Sequence, residues 1–424
     1  MNTILIILVI LLIIAGLPLF AALGLVSVIS FLAAGTDPTV IILEFNKIAS
    51  APTLLAIPLF TLAGYILAES KAPKRLYELL QTSIGRLPGG VAITSLITCA
   101  LFTCITGASG ITIIAIGGLI YPILLKQNYS EKFSLGLVTC SGSLGLLFPP
   151  SLPLILYGII ASVSIDKLFL AGILPGILII IVLYIYSIIK GEKLQQHNYI
   201  KFTWRNFLKS LYKTKWELPI PFIIIGGIYG GYLTVVEAAA VTAFYTFVIE
   251  FFIKRDLKIK ADFVRIFRDT TKLVGGILII LGMAMGFTNY LIDEQIPQQL
   301  LQIVKTLISS KITFLLLLNI FLLITGFVLD IFSAIIIVVP MIVPIANSYG
   351  INPIHLGIIF LTNLEIGYLT PPVGLNLFIS SYRFKKSILH LYKVSFPFLL
   401  LLLLCLIIIT YFPGLSLFLV NIFS

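Results

Sequence analysis

Gly145-Leu146-Leu147-Phe148-Pro149-Pro150-Ser151 lies inside an apolar run. At an offset of 222 residues, Gly367-Tyr368-Leu369-Thr370-Pro371-Pro372-Val373-Gly374 repeats its glycine and both prolines in register. Pro122 falls on Pro344 at the same offset. Paired prolines remove two backbone donors and leave nearby carbonyls free, so each string breaks a helix. One Pro-Pro reads equally well as a plain kink, whereas two at equivalent places read as a repeated device. A polar, helix-like stretch opened by proline precedes each unit, Pro73-Lys74-Arg75-Leu76 in one half and Pro297-Gln298-Gln299-Leu300 in the other.

The surroundings of these strings are lipid-soluble. Of 424 residues, 59% are hydrophobic and 11% charged, against roughly 25% charged in soluble domains. Runs such as Ile4–Ile14, Ile173–Ile189, Leu273–Leu281 and Phe398–Ile409 are too many for one soluble interior. The first run starts at Met1 with no basic leader and no small-residue cleavage site, so it is expected to be retained. Cys99, Cys104, Cys140 and Cys405 all sit in apolar segments and read as packing residues. The net charge of +11 comes from short loops rather than one basic patch, which argues against a nucleic-acid partner.

Those basic loops set the topology. If segment 91–125 enters and leaves on the same side as a re-entrant hairpin, 24 of the 28 Lys and Arg gather on the cytoplasmic face, leaving Lys47, Lys167, Lys305 and Lys311 outside it. The expected crossings are 2–16, 18–34, 51–70, 132–162, 168–190, 218–232, 234–253, 273–292, 353–382 and 394–422, with a second hairpin at 312–347 and both termini outside. The chain then divides into N-terminal scaffold helices (1–50), a first inverted repeat (51–190), scaffold helices with basic cytoplasmic loops (191–272) and a second inverted repeat (273–424). The fold class is an all-α polytopic membrane protein, with about ten transmembrane helices and two re-entrant hairpins in two inverted repeats.

The first hairpin turns at Thr106-Gly107-Ala108-Ser109-Gly110, a small and hydroxyl-rich tip at membrane depth, which is tolerated only against protein or a wet cavity. The second turns at Gly326-Phe327-Val328-Leu329-Asp330, whose carboxylate calls for a cation partner. Glu365 reads similarly, with Asn363 as a candidate hydrogen-bond partner, and Glu237 reads as a structural contact. Ser109, Thr112, Ser141, Ser143, Thr370 and Asn376 supply neutral oxygens at tips and breaks. His197, His355 and His390 lie in loops or at a helix start and suggest neither catalysis nor a metal centre. Arg75, Arg86 and Arg383 are expected on the loop side. No ATP-binding P-loop is written here, so energy must come from an ion gradient or another subunit. Inverted repeats with broken helices meeting at the midplane read as a secondary transporter. A channel or an intramembrane hydrolase fits less well, since no Ser/His pair or second catalytic Asp accompanies Asp330, and an ion-coupled antiporter or a binding-protein-independent carboxylate transporter is the nearest alternative.

The chain resembles the large membrane subunit of the TRAP (tripartite ATP-independent periplasmic) transporters, the DctM-like permeases. The resemblance spans nearly the whole chain and rests on Leu54-Leu55-Ala56-Ile57-Pro58, Gly107-Ala108-Ser109-Gly110-Ile111-Thr112, Pro149-Pro150-Ser151-Leu152-Pro153, Glu237-Ala238-Ala239-Ala240-Val241, Gln295-Ile296-Pro297-Gln298 and, most specifically, Asn363-Leu364-Glu365-Ile366-Gly367 through Phe378. It implies a sodium-coupled elevator importer of organic acids in the bacterial inner membrane. Its partners would be a separate small membrane subunit (DctQ-like) and a periplasmic substrate-binding protein (DctP-like), and sodium would be its only ion, with no other cofactor. By the same resemblance sodium would sit at Gly107, Ser109 and Gly110 against Gly145 and Pro149, and at Gly326 and Asp330 against Gly367 and Thr370. Substrate would meet Thr112, Ser143, Pro150, Ser151, Pro371 and Asn376. Thr234-Val235-Val236 stands where the family commonly has Thr-Pro-Thr, and Ile331 where it commonly has proline.

Overall fold

A computed structural model describes residues 17–191 and 202–423 of the chain. The expected crossing 2–16, together with Lys193, Lys201 and His197, lies outside the described residues. The described residues form helices without strands. Among the described residues, eight helices are long and apolar enough to cross a membrane, or nine if Glu131–Leu147 and Leu152–Ile160, bent by 44°, count as one span.

The repeat is visible in the helix ends. The first hairpin consists of Gly90–Thr106 and Ser109–Lys126, the second of Lys311–Val328 and Ile331–Ser348. An offset of 222 carries Thr106 onto Val328, Ser109 onto Ile331 and Lys126 onto Ser348, and it carries Glu131, which opens the first broken helix, onto Pro353, which opens the second. The two tips reach the same turn by different chemistry. Gly107 ends its helix at φ +65°, the left-handed region that costs glycine least. The second tip stays extended at Leu329, and Asp330 caps the next helix by accepting from the Phe332 and Ser333 amides at 3.0 and 3.1 Å.

Each hairpin follows an arm helix, Ala72–Ile84 or Ile296–Leu307. The arms are held differently. Arg75, largely buried, pairs with Glu217, Glu250 (2.8 Å) and Asp256, three acids from the segment between the repeats. Burial works against its charge, but the three carboxylates outweigh that and hold the guanidinium above its ordinary pKa. On the second arm, Tyr349 of the hairpin donates to the carbonyl of Ile308, just past the arm's end, at 2.6 Å.

Four local features differ from the sequence reading. Val40–Ala49 is a further helix between the expected crossings 18–34 and 51–70; Asp37 accepts from the Thr39 amide just before it. The helix expected at 273–292 runs from Ile259 to Asp293, so Arg265, Arg268 and Lys272 sit on its first turns rather than in a loop. The last expected crossing divides into Ile388–Tyr411 and Pro413–Phe423, because Pro413 lacks the amide that would continue the helix and biases Phe412 out of it (φ -118°, ψ 77°). Inside the basic connection, Trp204–Thr214 is helical and exposes Trp204, Leu208 and Tyr212 on one face beside Arg205 and Lys209, the pattern of a helix lying in a membrane interface.

Candidate ion and substrate site

The first tip packs onto the first break. A Cβ on Gly107 would lie 2.6 Å from Leu152 Cγ, and one on Gly145 would strike the backbone of Ala100 and Cys104, so both glycines are required by close approach. Thr103, one turn before the tip, ties the unit together: its hydroxyl lies 2.8 Å from the Cys99 carbonyl, 2.8 Å from Thr112 Oγ1 and 2.9 Å from the Gly142 carbonyl. Ser109 opens the second leg, and its carbonyl lies 3.3 Å from where a Gly142 Cβ would stand. Thus Gly107, Ser109, Thr112 and Gly145 come together, level with the middle of the broken crossing.

Most of this neighbourhood is buried, Ser143, Pro149, Pro150 and Ser151 included, with Ala108, Gly110 and Phe148 half-buried. Thr106 Oγ1 and Ser151 Oγ are buried without a hydrogen-bond partner among the described residues. The Phe148 and Pro149 carbonyls accept no backbone hydrogen bond among them either. Unspent hard oxygens around a dry turn are the donor set a small hard cation takes. Behind Pro149-Pro150 lies an apolar cavity of about 200 Å³, walled by Leu67, Cys104, Ile105 and Glu217.

The second pair is more open. Gly326 and Gly367 meet backbone to backbone, a Cβ on Gly367 falling 2.6 Å from the Gly326 carbonyl carbon. Tyr368 Oη accepts from the Ile331 amide at 2.7 Å and joins tip to break. Asp330 is exposed and its carboxylate is engaged by the Phe332 and Ser333 amides and the Ser333 hydroxyl. Thr370 donates to its own helix at Ile366, and Pro371 is exposed. Asn376 reaches the first break, its amide 3.4 Å from Ser143 Oγ, while Gly110 of the first tip faces Ile379 about one turn further on.

Three expectations change here. Asn363 does not serve Glu365; its amide donates to Asn319 Oδ1 at 2.7 Å and to the Ile359 carbonyl at 2.8 Å. Arg383 is not free in a loop, since its Nε donates at 3.0 Å to the Ile114 carbonyl, within the π-helical turn Ile113–Gly117 of the first hairpin, where Gly118 leaves room for the guanidinium. Arg75 sits in the acidic cluster described above. Thr103, Thr106 and Tyr368 were not singled out from sequence; the hydroxyls flanking the Gly107 tip and the tyrosine inside the second break string were the available signals. Glu237 is structural as read: it forms a capping box with Thr234, accepting from the Thr234 amide at 2.8 Å.

Two hairpins, each turning against a proline-broken helix in one half of a repeated chain, define a polytopic membrane permease. Residues 6–415 match the family described as "Tripartite ATP-independent periplasmic transporter, DctM component", and the chain belongs to that family. It is 36% identical over 412 residues to the isethionate TRAP transporter permease protein DctMQ of Oleidesulfovibrio alaskensis, covering 96% of this chain and 64% of that protein's length. It is also 36% identical over 434 residues to the C4-dicarboxylate TRAP transporter large permease protein DctM of Vibrio cholerae, covering 97% and 95%. Its fold is similar to that of the Alcanivorax borkumensis YdaH transporter, with a TM-score of 0.65 at 15% identity over 89% of this chain and 88% of the other.

Proposed function

We propose that this chain is the large permease subunit of a sodium-coupled system importing an organic acid, a C4-dicarboxylate, sialic acid or related carboxylate, across a bacterial inner membrane. It works with a small DctQ-like membrane subunit and a periplasmic DctP-like binding protein that delivers the substrate. The observation that supports this most is the pairing of each hairpin tip with the break of its own half, with unspent buried oxygens at Thr106 and Ser151 in the first. Sodium binds at each tip and break, and substrate binds beside them from Thr112, Pro150, Ser151 and Pro371. In this reading each hairpin and its break move as one body past the scaffold helices, the elevator motion.

The test is uptake of succinate and N-acetylneuraminate into vesicles holding both membrane subunits, with binding protein added. An inward sodium gradient should drive uptake without ATP, and equal uptake in potassium alone at matched potential would refute the coupling. Ser109→Ala and Asp330→Asn should each raise the sodium concentration for half-maximal uptake, every tenfold rise corresponding to about 1.4 kcal/mol. A lowered membrane abundance with an unmoved sodium curve would assign the tips to packing alone. Cysteine labels at Asn347 should react from the periplasm and at Lys258 from the cytoplasm; labelling of both from one side would overturn the inverted topology.

A further inference from the structure

Glu365, on the helix Pro353–Gly367, is fully buried, and its carboxylate oxygens have no well-formed hydrogen bond among the described residues, the neutral Ser143 hydroxyl being a donor within reach. Its surroundings come from both halves. Ser143 of the first break lies beside it, and the buried Cys140 and Cys405 are near it. Ser143 Oγ in turn takes a hydrogen bond from the Asn376 amide at 3.4 Å, while Asn376 Oδ1 is buried with no donor of its own. One turn away, Thr139 donates to Ser380 Oγ at 2.9 Å and holds the same two segments together. The seam where the first break meets both pieces of the second broken helix therefore holds one carboxylate and neutral oxygens with spare capacity. No Lys, Arg or His reaches Glu365 among the described residues.

An ionised carboxylate buried alone is costly, and a salt-bridge partner is missing. A hard cation held by carboxylate, hydroxyl and amide oxygens would remove that cost. We propose that Glu365, Ser143 and Asn376 form a further monovalent-cation site, taking sodium, distinct from the two pairs of tip and break. The inference rests on the sodium-coupled reading above and adds an ion to it. Ser143 and Asn376 then serve the ion rather than the substrate. Because its ligands come from opposite halves, this site fills only when the two broken helices are seated on each other.

The test counts radiolabelled sodium bound at saturation by the full-length permease with its small subunit in lipid discs. Glu365→Gln, which keeps the side chain's shape and loses its charge, should bind one sodium fewer per permease than the wild type. Asn376→Ala should keep the count but weaken one class of site several-fold. An unchanged count in Glu365→Gln would overturn the site, as would loss of a pH dependence of transport with the sodium count intact, since the carboxyl would then carry a proton. If Glu365→Gln fails to reach the membrane, Asn376→Ala decides, and a wild-type binding curve there overturns the proposal. Absence of any sodium binding by the wild type would instead refute the coupling itself.

Discussion

The two halves share their helix ends and differ in what those ends are made of. At the first tip and break nothing is fully exposed, hydroxyls bridge hairpin to break, and the arm is pinned by charge. At the second, the tip is capped by an exposed aspartate, the break lies partly open at Pro371–Val373, and the arm leans on its own hairpin. The position of Thr103 shows the contrast at one residue. Thr103 reaches Thr112 and Gly142, whereas its counterpart 222 residues on, Thr325, bonds only its own helix at Phe321. A repeated backbone thus supplies two frames, and side-chain chemistry makes them unequal.

The largest effect that would sharpen this comparison is at the arms. Arg75→Ala strands three carboxylates and should cost about 3–5 kcal/mol, read as a lowered unfolding temperature in detergent. Lys305→Ala on the exposed face of the second arm should change nothing measurable, and equal losses would erase the distinction. Next, Thr103→Val should cost about 1–3 kcal/mol through its lost bridge, with Thr325→Val near neutral; the reverse order would mean that the second half is the better knit. Asp330→Ala should remove an N-cap worth about 1 kcal/mol, visible as faster amide exchange in the first turn of Ile331–Ser348.

The smallest effect is at the surface. Lys386 pairs with Glu131 and holds that carboxyl below its usual range. A depressed carboxylate adds stability above its unfolded pKa and loses it as the pH falls through the folded one. Glu131→Gln should therefore leave the unfolding temperature nearly unchanged at neutral pH, and any difference should shrink in acid or in high salt.

The backbone plan was legible because it rests on local signals: the Pro-Pro strings, the glycine-rich first tip and the 222-residue offset are all visible in one sequence. The start of Val40–Ala49 was also written, in Asp37 and Pro38, but its ten residues are too few to read as a crossing. What stayed hidden is contact between distant residues. Arg75 lies 142, 175 and 181 residues from its three acids, and Ile331 lies 37 from Tyr368, separations that no spacing rule predicts. The same holds for the Asn376 amide, which reaches Ser143 of the first break across 233 residues of chain.

The acidic cluster on Arg75 also bears on how the protein could be assembled from pieces. All three acids follow the first repeat in the chain, and the arginine lies within it. Two polypeptides made by dividing the chain just after the first repeat, before Glu217, would leave the arginine on one and its three acids on the other, at matching surfaces. Such fragments have a built-in reason to find each other when produced together, and each alone has a reason to fail quality control.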